Sequence, residues 1–237
     1  MRILAVDTST FLGSVAVLDD GALLAEQAAS VRAAHGETLL PHLRACLSAA
    51  KLALADVDLF AVGLGPGSFT GVRIGVATLK GLALAEAKPI VGVSSLRAIA
   101  RGIDAADGLR VACVDAYKGE VYAAGYRLEA GRLSEVLPPF HETPGEAAPR
   151  IDAARDGGAL WVAGDGVEKY PDLLERDGWH RSPRYSDGPR GACVAHEAAL
   201  QFEAEGPGDL ASLEPTYLRP SDAKLPAVPQ RVNRGSS

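Results

Sequence analysis

The chain is poor in the residues that carry most recognisable chemistry. Its 237 residues include three cysteines, one methionine and five histidines, and aromatic residues make up 5%. Cys46, Cys113 and Cys193 are far apart, odd in number and form no C-x-x-C pair. That excludes a disulfide framework and a cysteine metal cluster, and fits buried free thiols in a reducing cytoplasm. Cations are outnumbered, with 24 Lys and Arg against 30 Asp and Glu, for a net charge of -6. A broad nucleic-acid-binding surface, which needs a basic patch, is therefore not expected. Val76 to Ala87 is interrupted by Lys80 and Glu86, and no apolar run is long enough to span a bilayer. No leader peptide is expected, because Arg2 leads directly into a strand-like segment ending in Asp7. A G-x-S-x-G elbow is missing as well. His35 and His42 stand seven positions apart, about 10 Å along a helix, whereas one ion held by two helical histidines needs a separation of four. His141, His180 and His196 complete no cluster with ligand spacing, so no metal site is expected.

What remains is an ordinary core-forming chain, 47% hydrophobic. Ile3–Asp7, Ser14–Leu18 and Ala22–Ala28 read as strands, the last two joined by the hairpin turn Asp19-Asp20-Gly21. A helix is predicted over Thr38–Lys51, with Leu39, Leu43, Cys46, Leu47 and Ala50 on one stripe. A strand over Leu59–Leu64, a helix over Thr70–Ala87, a strand over Ile90–Val93 and a short helix from Ser95 follow. The second half repeats the order. Strands are predicted over Arg110–Val114, Glu120–Leu128 and Arg132–Leu137, a helix over Gly145–Arg155, a strand over Leu160–Ala163 and a helix over Ala192–Ala204. Asp177–Arg190 reads as loop. The predicted organisation is an α/β protein of two βββαβα halves, 1–105 and 106–222, with the last segment able to pack back on the first half. A flexible tail is predicted over 223–237.

Gly65-Pro66-Gly67-Ser68-Phe69-Thr70-Gly71-Val72-Arg73-Ile74-Gly75 is the most informative stretch. It joins a strand to a helix, and Ser68 or Thr70 can cap that helix. The run is not a P-loop, since it lacks the Gly-Lys-Ser/Thr ending. Bare N–H groups at the helix start could still hold a phosphate. Alternatively, Gly67, Gly71 and Gly75 recur every fourth residue and leave a face without side chains, where another backbone can come close. Asp7-Thr8-Ser9-Thr10 offers a similar choice between a phosphate-holding turn and a plain hairpin turn held by its own hydroxyls. Asp115 and Glu120 could form an acid pair, although a turn is the commoner role.

Ile3–Thr10 (ILAVDTST), the glycine run, Asp115–Tyr122 (DAYKGEVY) and Pro215–Arg219 (PTYLR) resemble the TsaB (YeaZ) family over roughly Met1 to Lys224. Tyr117 stands where that pattern usually has arginine. The resemblance implies an ASKHA fold of two actin-like, RNase-H-like halves and a role in forming threonylcarbamoyladenosine beside the anticodon of ANN-decoding tRNAs. It implies a non-catalytic, cytoplasmic scaffold and activator that pairs with TsaD, works with the ATPase TsaE, forms a homodimer when alone, and meets tRNA only through the complex. TsaD-like proteins carry a His-x-x-x-His pair after the third strand, which His35 and His42 do not reproduce. No tightly bound cofactor is expected, with ATP or ADP possible only at the interface of the complex. Asp7, Thr8 and Ser9 would be a degenerate phosphate loop. The partner interface would use Leu39, His42, Leu43 and Cys46 from one helix and Gly67, Phe69, Thr70, Gly71, Ile74, Gly75 and Thr78 from the other. Leucine at Gly71 or Gly75 should then weaken pairing and leave the monomer folded. The rival expectations are an ASKHA-type ATPase or kinase working through Asp7, and a glycoprotease-like hydrolase.

Overall fold

The computed structural model describes residues 1–30, 35–105, 107–174, 176–184 and 187–219. The tail expected over 223–237 lies outside the described residues. The first half comprises β1 (Arg2–Asp7), β2 (Leu12–Asp19), β3 (Ala22–Ser30), α1 (His35–Ala49), β4 (Leu59–Gly63), α2 (Phe69–Ala85), β5 (Ile90–Val93) and α3 (Ser95–Arg101). The second half comprises β6 (Leu109–Tyr117), β7 (Glu120–Glu129), β8 (Arg132–Glu142), α4 (Pro144–Ala154), β9 (Leu160–Ala163), α5 (Asp165–Lys169), β10 (Trp179–Arg181) and α6 (Gly191–Glu205). Each half builds a five-stranded sheet. The orders, β3-β2-β1-β4-β5 and β8-β7-β6-β9-β10, are the same topology twice. This is the duplicated α/β arrangement of the ASKHA class.

Turn chemistry fixes the hairpins. Asp20-Gly21, Lys118-Gly119 and Ala130-Gly131 all have positive φ at both positions, the backbone that matches the twist of two-residue hairpins. The central strands β1 and β4 are almost entirely buried and read as continuous apolar runs, as strands covered on both faces do. In the first half the strand Ile90–Val93 and the helix from Ser95 form as expected after the βββαβα order, whereas in the second half α5 and β10 are additions to the expected elements. Trp179–Arg181, expected to be loop, pairs in parallel with β9; three residues are too few to show a period.

The helices do not all cover their own sheets. α1 and α2 pack on one face of the first sheet, with Leu39, Leu43, Cys46, Val76 and Leu79 against Leu4, Val6, Phe60 and Val62. The other face is covered by α6, whose Val194, Ala195 and Ala198 meet Ile3, Ala5, Ala61 and Val91. α6 was expected to close the second half. Instead α3 lies on the second sheet, with Leu96 and Ile99 among Ala112, Val114, Tyr122 and Tyr126. At the junction Glu197 of α6 is fully buried and accepts from both Arg97 and Arg101 of α3. Arg97 also donates to the Leu133 carbonyl on β8. Two guanidinium partners offset the cost of burying that carboxylate and tie the halves together. Among the described residues no helix is long and apolar enough to cross a membrane.

Candidate functional site

Open α/β sheets bind ligands beyond the carboxyl ends of their strands. Asp7, Thr8 and Ser9 occupy that position on β1, yet the chain itself fills it. Asp7 is fully buried. It accepts from Ser95 Oγ at 2.6 Å and from the Ser9 amide at 2.7 Å, and Ser95 Oγ accepts from the Gly65 amide at 3.0 Å. Burial pushes the Asp7 carboxyl up to about 6, against the opposing pull of the Ser95 and Ser9 hydrogen bonds. Thr8 Oγ1 donates to the Gly71 carbonyl at 2.7 Å, and the Ser9 carbonyl accepts from the Ser68 amide at 2.6 Å. None of the three residues lines the cleft between the halves, and the turn expected to be a degenerate phosphate loop is held by the chain's own hydrogen bonds.

The glycine run is what seals it. A methyl group at Gly67 would collide with the Ser9 carbonyl and one at Gly71 with the Thr8 carbonyl, while one at Gly75 would stand 2.5 Å from Thr8 Oγ1. Gly67, Gly71 and Gly75 therefore admit a backbone closely, but it is the chain's own β1–β2 turn. Ser68 caps α2 by accepting from the Gly71 amide at 3.3 Å. Gly71 and Gly75 are buried, which corrects their placing in a partner interface. Leu39, Leu43 and Cys46 are corrected likewise: they are nearly inaccessible in the first core, because the apolar stripe of α1 is the side that covers the sheet.

Six of the expected interface residues stay at or near the surface. Phe69 and Thr70 are exposed, and His42, Gly67, Ile74 and Thr78 are half-buried. Leu40, Arg73 and Tyr217, outside the expected interface set, are further features of the surface. Leu40 on α1 is 48% exposed and Tyr217 is 49% exposed, matching Phe69 at 49%. The Arg73 guanidinium lies 3.7 Å from the Phe69 ring centroid, and Arg73 Nε donates to Tyr217 Oη at 2.9 Å. Leu40 was detectable as an apolar residue off the buried stripe. Tyr217 stood out only as part of Pro215–Arg219; its contact with Arg73, 144 residues away, left no local signal.

The cleft between the halves encloses about 600 Å³, lined by Thr10, Phe11, Leu12, Asp115, Asp165, Glu168, Lys169 and Asp187 among others. Its charges are largely satisfied within the chain. Asp115 Oδ2 accepts from Lys169 at 2.7 Å, and Asp115 Oδ1 accepts from the Tyr117 amide at 2.9 Å, the counterpart of the Asp7–Ser9 turn. Asp165 accepts from the Asp115 amide at 3.0 Å, and burial pushes its carboxyl up to about 6. Asp187 pairs with Arg181 and accepts from the Gly164 amide at 3.1 Å. Asp115 and Glu120 do not form an acid pair, since Glu120 faces Arg219 at 3.4 Å. Among the described residues, no group of three or more His, Cys, Asp or Glu is arranged to hold a metal ion. His35 and His42 both fall in α1.

Comparison with known proteins agrees with this architecture. A family model described as TsaD, tRNA N6-adenosine threonylcarbamoyltransferase, matches residues 23–219. The tRNA threonylcarbamoyladenosine biosynthesis protein TsaB of Escherichia coli is 36% identical over 95% of this chain and 99% of its own length. The Bacillus subtilis protein of the same name is 37% identical over 58% of this chain and 60% of its own length. The crystal structure of YeaZ from Pseudomonas aeruginosa superposes with a TM-score of 0.78 at 28% identity, covering 92% of this chain and 99% of that one. A second Pseudomonas aeruginosa structure, described as similar to peptidase YEAZ, gives a TM-score of 0.80 at 30% identity with the same coverage.

Proposed function

Since the chain belongs to the TsaB (YeaZ) family of tRNA threonylcarbamoyladenosine biosynthesis proteins, we propose that it is the accessory subunit that pairs with TsaD and supports transfer of the threonylcarbamoyl group. The observation that carries this reading is the exposed apolar and cationic surface at the head of α2: Phe69 and Tyr217 are each about half exposed, their rings meet, and the Arg73 guanidinium lies over Phe69 and donates to the Tyr217 hydroxyl, while Leu40 on α1 is exposed as well. Aromatic and arginine side chains grouped in this way are the composition of interface hot spots. The partner follows from common descent. The model that matches residues 23–219 describes TsaD, so TsaD carries counterparts of α1 and α2, and like faces can pair in near-two-fold symmetry. A second copy of the chain can use the same geometry when TsaD is absent. TsaE joins the assembly, and tRNA and nucleotide are met there and not by this subunit alone.

Two features support an accessory role over an ATPase or kinase acting through Asp7. The Asp7 carboxylate has both oxygens occupied by Ser9 and Ser95, and the turn beyond it is covered by the glycine helix. The test is tRNA modification reconstituted from TsaC, TsaD and TsaE, with this chain or its Phe69→Asp variant. A charge buried at the interface should abolish TsaD capture, stimulation and self-pairing while the variant stays folded. Wild-type stimulation by Phe69→Asp sinks the proposal.

A further inference from the structure

Gly206–Arg219 follows α6 without regular secondary structure, yet it is fastened at every few residues. Asp209 accepts from the Ala211 and Ser212 amides at 3.1 and 3.2 Å. Lys80 of α2 donates to the Ala211 and Leu213 carbonyls at 3.4 and 3.0 Å. The Thr216 amide donates to the Leu64 carbonyl at 2.8 Å, at the head of the glycine turn. Tyr217 then stands 5.3 Å from Phe69, ring centroid to ring centroid, and accepts from Arg73. One residue later the chain reaches the other half, where Leu218 packs on the cluster containing Tyr122 and Tyr126. Arg219 donates to the Ala116 carbonyl at 3.0 Å and meets Glu120 at 3.4 Å. Ala116 lies between Asp115, which lines the cleft, and Tyr117, which holds a left-handed φ of 60°.

Three consecutive residues thus connect the exposed head of α2 to the β6–β7 turn at the lip of the cleft. We propose that Gly206–Arg219 is a strap that carries Tyr217 into the partner-facing surface and, through Arg219 outside that surface, transmits its occupancy to the turn. The inference rests on reading α2 as the face that receives TsaD. A partner pressed onto Phe69 and Arg73 also presses on Tyr217, because the two rings and the guanidinium are in mutual contact. A segment without its own hydrogen-bond ladder is held only by its anchors, so fixing Tyr217 restricts Leu218 and Arg219 directly. The coupling is physical contact through a short chain, with one anchor at each end.

The experiment uses the full chain with purified TsaD and reads two quantities: the dissociation constant, and hydrogen exchange across residues 115–120 with and without TsaD. Phe69→Ala and Tyr217→Ala should each weaken binding roughly tenfold or more, as central hot-spot residues do. Tyr217→Phe, which keeps the ring, should bind within about twofold of the wild type, showing that the loss in Tyr217→Ala is not misfolding. Arg219→Ala should bind TsaD normally yet lose the slowing of exchange that TsaD causes at 115–120. If Phe69→Ala weakens binding and Tyr217→Ala does not, the strap is outside the interface and this inference fails alone. If neither weakens it, α2 is not the docking face and both proposals fall. Full TsaD-induced protection at 115–120 in Arg219→Ala overturns the coupling.

Discussion

Alanine at Gly71 separates an internal role for the glycine helix from an external one. The position is inside α2, where replacing glycine by alanine favours the helix by about 1 kcal/mol if nothing else changes. Here the added methyl would overlap the Thr8 carbonyl oxygen, which is backbone and has no rotamer to escape into. Either α2 retreats by about an ångström or the β1–β2 turn deforms, and overpacking of that kind costs about 1–3 kcal/mol. Retreat also stretches the hydrogen bonds from Thr8 Oγ1 to Gly71 and from Ser68 to Ser9, each contributing about 1 kcal/mol, more if a buried group is left unpaired. The net expectation is a loss of about 2–4 kcal/mol, or roughly 5–15 °C in Tm for a chain of this size. Gly81 is the control: it lies in the same helix with nothing within 4 Å of an added Cβ, so Gly81→Ala should gain up to about 1 kcal/mol. Calorimetry and urea unfolding of the two variants make the comparison. If Gly71→Ala is as stable as Gly81→Ala, the glycine face is open and the internal packing described above is wrong.

Other outcomes follow from the buried charges and thiols. Burial holds the Asp7 carboxyl at about 6 in the folded chain, against an ordinary value of 3.8. The stability tied to its proton is therefore present below pH 4 and lost as pH rises through 6, by about 3 kcal/mol. Asp165 contributes with the same sign, so Asp7→Asn should remove about half of the decline in unfolding free energy measured between pH 4 and 7; an unaltered slope contradicts the assignment. Glu197→Ala strands Arg97 and Arg101 at the junction of the halves and should cost about 3–5 kcal/mol, with the two halves melting less cooperatively in calorimetry; a loss below 1 kcal/mol contradicts the clamp. Cys46 and Cys113 are inaccessible, and burial raises the Cys193 thiol to about 11. A thiol reagent at pH 8 should label the native chain slowly and all three sites rapidly in urea; fast labelling of Cys113 in the native state argues against the packing of β6.

The sequence made the duplicated sheets legible because strand periodicity and the turns Asp20-Gly21 and Ala130-Gly131 are local signals. It made the close approach at Gly71 and Gly75 legible too, but not what approaches. Both an internal turn and a foreign helix demand the same absence of a side chain, and Thr8 is 63 residues away from Gly71. The same limit explains Leu39, Leu43 and Cys46. An apolar stripe shows that a helix buries one side, and the sheet had first claim on it. The exchange of α3 and α6 between halves, and the return of Tyr217 to Arg73, are set by long-range packing and leave no periodic trace.

The most direct measurement is the rate of threonylcarbamoyl transfer to tRNA by TsaD, TsaC and TsaE as this chain is titrated in. The account predicts little product without the chain, saturation near one chain per TsaD, and no stimulation by Phe69→Asp. Full activity in its absence, or stimulation abolished by removing the Asp7 carboxylate in a folded variant that still binds TsaD, contradicts an accessory role.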